Sequence, residues 1–318
     1  MRSVWLLHNT RAGRLAYRAG VEQAADALAR RGVAVQLEQA EDIDGLRQAA
    51  RRAVAAGAEA VLVAGGDGTL GAIAAELAGS PVAMGGLPAG TANVWARELR
   101  LPRPSPFRRG ALAQAALLLL DSPALPTDLG RVNDKWFLAW TGVGLDAFVT
   151  QQFEARRGAS QAMTGFYYNT LLTLKLARSF RAMDLRVHVA GPGGERELAG
   201  RYVMVTVANI GLHGGGMLRF ARDVRLDDGL MDLWAFAADS YGEMLAHMWR
   251  VARGQHLGHP DVTRLTGDRM EIYTAAPQVI HIDAEPQPAT QRLSVSVAPG
   301  SLRVLVPKDA ARALYRAA

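Results

Sequence analysis

Three short loops in the first third of the chain combine residue types that handle phosphate. Gly65-Gly66-Asp67-Gly68-Thr69 directly follows the apolar run Val61-Leu62-Val63-Ala64. Glycines allow positive φ and close backbone approach to a ligand. Their N–H groups, with the start of a following helix, form an anion site. Asp67 in such a loop repels a phosphate unless a cation lies between them, which points to a magnesium–nucleotide complex. A second loop, Gly86-Leu87-Pro88-Ala89-Gly90-Thr91-Ala92-Asn93, also follows a strand-like run. Its Thr91 either caps the next helix or offers a hydroxyl to phosphate. The third, Asn9-Thr10-Arg11-Ala12-Gly13, is either an ordinary strand-to-helix turn or a nucleotide contact at the same sheet edge.

The elements around these loops alternate. Strands are predicted at 4–7, 33–37, 60–64 and 82–84, and helices at 15–31, 43–56 and 70–77, with 65–68 a turn. Such alternation predicts a parallel Rossmann-like sheet with right-handed crossovers. Ligands of open α/β sheets bind at the carboxyl ends of the strands, where all three loops fall. After Asp121 the chain turns strand-rich. Strands are expected at 128–132, 136–140, 185–189, 201–208, 231–235, 270–273, 279–282, 293–297 and 302–306, with a turn at 191–194. Helices are expected at 146–157, 162–180 and 241–253. This pattern implies a mainly antiparallel β-sandwich. The division is placed at residue 125: a nucleotide-binding α/β domain over 1–125, a β-rich domain over 126–307, and a helix over 308–318 folding back on the first.

Length, composition and charge narrow the class further. The 318 residues suit two domains, 49% are hydrophobic, and there is no cysteine. A disulfide framework, a thiol nucleophile and a cysteine-ligated metal are thereby excluded. The net charge of +6 implies an anionic partner, yet only Lys135, Lys175 and Lys308 are lysines, and GC-rich coding alone favours arginine. The longest apolar stretch, 111–120, is shorter than the roughly 18 residues of a membrane span, so a cytoplasmic protein is expected. The segment 153–181 carries Phe166, Tyr167, Tyr168, Arg156, Arg157, Lys175, Arg178 and Arg181. It reads either as an interfacial helix pair on anionic lipid or as ordinary packing on the second sheet. Asp146 is a helix cap or a site residue, His213 with Gly214–Gly216 either a metal or phosphate contact or a flexible loop near a cleft, and His281 a core or near-site histidine. No nucleic-acid-binding module is visible.

Taken in order, these motifs resemble the diacylglycerol kinase catalytic-domain family, in particular its bacterial soluble lipid kinases. That family carries Asn-Pro-x-x-Gly, Gly-Gly-Asp-Gly-Thr and Gly-Thr-x-Asn loops in its first lobe. Thr141-Gly142-Val143-Gly144-Leu145-Asp146-Ala147 resembles its Gly-x-Gly-x-Asp-Ala, and Leu226-Asp227-Asp228-Gly229-Leu230 its Leu-Asp-Asp-Gly. Asp283-Ala284-Glu285 stands where the family has Asp-Gly-Glu. The resemblance covers nearly the whole chain. It implies that Asn9, Thr10, Arg11, Ala12 and Gly13, with Gly65, Gly66, Asp67, Gly68, Thr69, Gly90, Thr91 and Asn93, hold ATP. It implies that Asp67 organises a magnesium–phosphate network and that Glu285, or else Asp283, is the general base. Arg225, Asp228 and Leu230 match a second, structural Mg²⁺ site, through backbone carbonyls and one carboxylate.

The implied reaction moves the γ-phosphate of ATP to the hydroxyl of a membrane lipid, a diacylglycerol first, at a cleft between the two lobes. The partners implied are that lipid and, transiently, an anionic membrane surface, with a homodimer left open. Two departures matter. Thr10 stands where the family has Pro, and Ala284 replaces the middle Gly of the acidic motif; at positive φ this alanine costs about 1 kcal/mol. A soluble-substrate kinase of the NAD kinase type, which shares Gly-Gly-Asp-Gly, and a non-catalytic nucleotide- or lipid-binding regulator are the alternatives.

Overall fold

The structure, a computed structural model, describes residues 1, 3–10, 16–105, 108, 110–154, 175 and 178–316. Arg11, Ala12 and Gly13 lie outside these residues, as does most of the 153–181 segment.

The first part runs β1 (Ser3–Asn9), α1 (Ala16–Arg30), β2 (Ala34–Ala40), α2 (Ile43–Ala55), β3 (Ala60–Gly65), α3 (Asp67–Leu77) and β4 (Ala83–Pro88), then α4 (Val94–Glu98) and α5 (Ala111–Leu120). Strands β2, β1, β3 and β4 pair side by side, all parallel. Every residue of β3 and β4 is buried, as parallel strands covered on both faces require. The helices cover them with short apolar stripes. In α2 these are Leu46, Ala49, Ala50 and Ala53, and the helix starts where Asp42 accepts the N–H of Gly45. The apolar stretch 111–120 is a helix and packs on α1.

The second part comprises β5 (Ala124–Val132), β6 (Lys135–Phe137), β7 (Trp140–Gly144), α6 (Leu145–Glu154), β8 (Met183–Gly191), β9 (Gly194–Tyr202), β10 (Met204–Ala208) and β11 (Leu212–His213). A 3₁₀ turn (Gly214–Gly216) leads to β12 (Leu218–Arg219), β13 (Met231–Phe236), α7 (Tyr241–Arg253), β14 (Val262–Gly267), β15 (Arg269–Ile282), β16 (Glu285–Leu305) and α8 (Lys308–Leu314). Here the pairing is antiparallel and follows the order β14-β13-β10-β7-β15-β16. A separate apolar core, with Phe137, Val187, Val207, Leu233, Ile272 and Leu293, fills this half.

β16 links the two halves. Its first residues pair with β15; its last pair antiparallel with β5 and parallel with β4, through Arg303↔Ala83 and Val304↔Met84. One hydrogen-bonded sheet therefore crosses the molecule, and the hairpin at the start of β16 is rigidly tied to the strands that carry the glycine loops. α8 lies against this junction: the hydroxyls of Tyr315 and Thr127 are 2.6 Å apart, and the N–H of Leu226 donates to the carbonyl of Leu314.

Several sequence expectations change. The predicted strand 136–140 is two strands, because the N–H groups of Leu138 and Ala139 are spent on the carboxylate of Asp283. The segments 270–273 and 279–282 are one strand with register shifts between Tyr273 and Ile280. The segments 293–297 and 302–306 both belong to β16, apart from Val306. β14 went unread, and β9 too, whose solvent-exposed residues carry little apolar signal. Among the described residues, no helix is long and apolar enough to cross a membrane.

Candidate active site

Helix α3 begins at Asp67 rather than at Leu70, so the Gly-Asp-Gly-Thr segment forms its cap and first turn. None of Gly65, Gly66, Gly68 or Gly90 has positive φ, contrary to the conformational reading of the sequence. At Gly90 and Gly65 the reason for glycine is that a side chain would not fit, whereas a methyl on Gly66 would make only an ordinary 3.4 Å contact. A methyl on Gly90 would lie 2.3 Å from Cα of Gly66, so the two loops touch backbone to backbone. A methyl on Gly65 would lie 2.7 Å from Cβ of Thr69. The Thr69 hydroxyl in turn accepts from Nδ2 of Asn9 at 3.3 Å, bringing the third loop to the same place. All three loops thus meet at the carboxyl ends of β1, β3 and β4.

Asn93 is buried and in the left-handed region, and its amide closes its own loop. Oδ1 accepts the N–H of Gly90 and Nδ2 donates to the Gly90 carbonyl, both at 2.8 Å. It therefore shapes the loop. Thr91 is exposed and caps nothing, since Asn93 occupies the cap position of α4, which leaves the Thr91 hydroxyl facing solvent. Thr10 donates its N–H to the carbonyl of Ala40, a bond that proline at this position could not make.

Asp67 is half-buried at the base of these loops and accepts the N–H of Trp95 at 2.9 Å. Loss of solvent raises its carboxyl above the usual range; the N–H groups of Trp95 and Val94 and the charge of Arg97 oppose this. A desolvated carboxylate beside the glycine loops suits a bound cation.

The acidic motif forms the two-residue turn between β15 and β16, with Ile282 paired to Glu285. Asp283 (φ 47°) and Ala284 (φ 64°) both occupy the left-handed region, as a type I′ hairpin turn demands. Ala284 is thus strained where glycine would not be. Ala284→Gly is expected to raise stability by about 1 kcal/mol, read as a higher Tm.

The two acids then diverge. Asp283 is 4% exposed; its Oδ2 accepts from Leu138 N at 2.7 Å, and its Oδ1 from Ala139 N and Trp140 N at 2.7 and 3.2 Å. Burial pushes its carboxyl up to about 6, with the three N–H donors opposing and the charge of Asp67 adding to the rise. Glu285 is exposed. Both press on α3: a methyl on Gly68 would lie 2.6 Å from Oε1 of Glu285, and one on Gly71 would lie 2.2 Å from Oδ2 of Asp283. Two glycines three residues apart on one helix face thus admit the hairpin acids to the helix that carries Asp67. Gly71 was missed in the sequence. Its signal was a glycine inside a helical pattern, which costs roughly 1 kcal/mol relative to alanine without a packing reason.

Beneath the turn lies a buried polar chain. His281 Nε2 sits 2.8 Å from Asp146 Oδ2, the His281 carbonyl accepts from Thr141 Oγ1, and Thr206 Oγ1 donates to the Thr141 carbonyl. Asp146 is a site-side partner of His281, and His281 is a core histidine. His213 is buried rather than on an open loop; it stacks on Phe220 at 4.2 Å, and burial holds its imidazole down at about 3, hence neutral.

Arg225, Asp228 and Leu230 lie apart from the glycine loops, beside α8. Asp228 Oδ1 accepts the N–H of Leu230 at 3.0 Å, and Oδ2 is 3.3 Å from Arg316. The Arg225 guanidinium donates to the carbonyl of Ala313. Asp128, unnoticed in the sequence, is buried here and accepts from Gly229 N and Gly300 N at 2.6 and 2.7 Å. Burial raises both Asp128 and Asp228, and neighbouring aspartates add to the rise. Oxygen donors of this kind are what a hard divalent cation takes, but among the described residues no group of three or more acids or histidines is placed to hold a metal ion, and Asp228 is also close to Arg316.

Comparison with known proteins agrees with this geometry. Residues 3–132 match the model of the diacylglycerol kinase catalytic domain, and residues 139–306 match that of the YegS C-terminal NAD kinase beta sandwich-like domain. A protein named "Diacylglycerol kinase" from Mycobacterium tuberculosis is 30% identical over 302 residues, 91% of each chain. A "Probable lipid kinase YegS-like" protein from Pseudomonas aeruginosa is 31% identical over 310 residues, 95% of this chain and 93% of the other. A crystal structure of a diacylglycerol kinase from Bacillus anthracis superposes with a TM-score of 0.70 at 17% identity, covering 97% of this chain and 98% of that one, which establishes the shared fold. The parallel sheet bearing the glycine loops, the antiparallel second half and these matches agree: the chain belongs to the diacylglycerol kinase family of lipid kinases, with a YegS-type C-terminal domain.

Proposed function

We propose that this chain transfers the γ-phosphate of ATP to the hydroxyl of a membrane lipid, with a diacylglycerol as the first candidate acceptor. The observation that carries the reading is the contact of the Glu285 carboxylate with Gly68, in the first turn of the helix that opens at Asp67. The group suited to take a proton thus lies beside the loops suited to hold phosphate. Phosphoryl transfer asks mainly for positioning and charge neutralisation.

In this reading residues 1–125 supply the nucleotide half and 126–307 the lipid half. Asn9 with its loop, Gly65–Thr69, Gly90 and Thr91 hold the nucleotide, and Asn93 keeps its loop in shape. Asp67 would hold magnesium at the phosphates, and Arg225, Asp228 and Leu230 would hold a structural one. Magnesium bound at Asp67 supplies neutralising charge to the phosphates. Glu285 accepts the lipid hydroxyl proton; the hydroxyl oxygen forms its bond to the γ-phosphorus as the bond to the β-phosphate bridging oxygen breaks, and ADP leaves. Asp283 positions Glu285 by fixing the turn against residues 138–140.

Gly90→Ala forces backbone apart at Gly66, where nothing flexible can yield. It is expected to weaken binding of a non-hydrolysable ATP analogue at least tenfold, read by calorimetry. The reading as a whole is tested by incubating the protein with labelled ATP, magnesium and extracted lipids, and in parallel with NAD. Label in a lipid product supports it. NADP formation, or no lipid product from folded protein, overturns it.

A further inference from the structure

Beyond α4 the chain turns at Arg100 (φ 57°) and runs to Arg108. Arg97, Arg100, Arg103 and Arg108 line one open hollow of about 720 Å³. No carboxylate among the described residues forms an ion pair with any of the four. Arg97 feels the repulsion directly: burial and the charge of Arg103 lower its pKa, against the attraction of Asp67. Its guanidinium donates to the carbonyl of Gly216, so the hollow borders the glycine turn of the second half. Met217, the next residue, is 48% exposed. Four gathered guanidiniums with no ion-paired carboxylate among the described residues, near an exposed thioether, match the headgroup level of an anionic bilayer, where basic charge meets phosphate and apolar side chains enter the interface. The volume falls in the range of small-ligand pockets, roughly 300–1,000 Å³, and exceeds what a bare phosphate ion fills.

We propose that this arginine hollow seats the phosphate headgroup of an anionic phospholipid, docking the mouth of the cleft on the membrane surface. The proposal rests on the lipid-kinase reading for its purpose but not for its geometry. The surface is distinct from the 153–181 segment that the sequence offered as interfacial. Arg97 also neighbours Asp67, so the test leaves it in place.

The full chain is sedimented with phosphatidylcholine vesicles with and without phosphatidylglycerol, as wild type, as R100Q/R103Q/R108Q and as R100K/R103K/R108K. These three arginines are exposed. Wild type is expected to bind only the vesicles with phosphatidylglycerol and to be released by salt. Each basic residue at such a surface is worth about fivefold, so the glutamine variant should bind on the order of a hundredfold more weakly while the lysine variant binds well. Phosphorylation of detergent-dispersed lipid should stay within about twofold in both variants. Equal vesicle binding by the glutamine variant, or wild-type indifference to phosphatidylglycerol, would overturn the proposal. If wild type phosphorylates no lipid yet shows the charge-dependent vesicle binding, the kinase reading fails and the docking surface stands.

Discussion

Replacing Glu285 by glutamine is expected to lower lipid phosphorylation by roughly 10²–10⁴-fold, the range contributed by a positioned general base. The amide keeps the size of the side chain and loses its basicity. Glu285 is exposed, so the loss should fall on turnover and leave Tm and nucleotide binding near wild type. The companion acid gives the contrast. Both Asp283 oxygens accept backbone N–H groups in a buried site, whereas Glu285 is exposed beside Gly68. Initial rates of Glu285→Gln over a range of lipid concentrations, beside a thermal melt, check both halves of this expectation. An unaltered rate would remove Glu285 from the reaction.

Asp283→Ala is expected to act on the fold first. It strands three N–H groups in a buried site, and each such group costs about 1–3 kcal/mol, so a loss on the order of 3–5 kcal/mol follows. The same residue gives stability a pH signature. Its folded-state pKa of about 6 lies above the ordinary 3.8. Between these values the folded protein holds a proton that the unfolded chain has released, so stability falls as pH rises from about 4 to 6. The size is about 3 kcal/mol, from roughly two pKa units at 1.36 kcal/mol each. Below pH 4 the penalty is absent, and above about 6.5 it is complete. Asp283→Asn should lack this slope. Denaturant unfolding of the two proteins across pH 4–7 measures it, and parallel profiles would contradict the assignment.

The sequence read most clearly where local signals and tertiary structure agree. The strand-to-helix alternation through β4 and the positions of the glycine loops follow from buried parallel strands, whose apolar runs need no partner to be recognised. The bounds of α7 were readable because Ser240 caps it and Gly254 ends it. What failed depended on distant chain. Nothing near residues 138–139 says that their N–H groups serve an aspartate some 145 positions away rather than a strand. The pressure of Asp283 on Gly71 and of Gly66 on Gly90 is likewise invisible locally, so the glycines were read for their freedom of φ when their lack of a side chain was the reason. Ala284 is the converse case. The sequence identified the departure and the cost it would carry at positive φ, and the turn has that φ. The arginine hollow had no motif at all, because Arg97, Arg100, Arg103 and Arg108 matter only as the lining of one hollow in the folded chain.

The central claim is that one cleft joins a nucleotide held by the first half to a proton acceptor supplied by the second. Its most direct test is transfer of label from γ-labelled ATP to diacylglycerol in detergent micelles, run with wild type, Glu285→Gln and wild type with the divalent cation chelated. The account predicts a labelled, lipid-extractable phosphomonoester from wild type alone. Label appearing equally in all three reactions, or in none while the protein is folded and binds ATP, would contradict it.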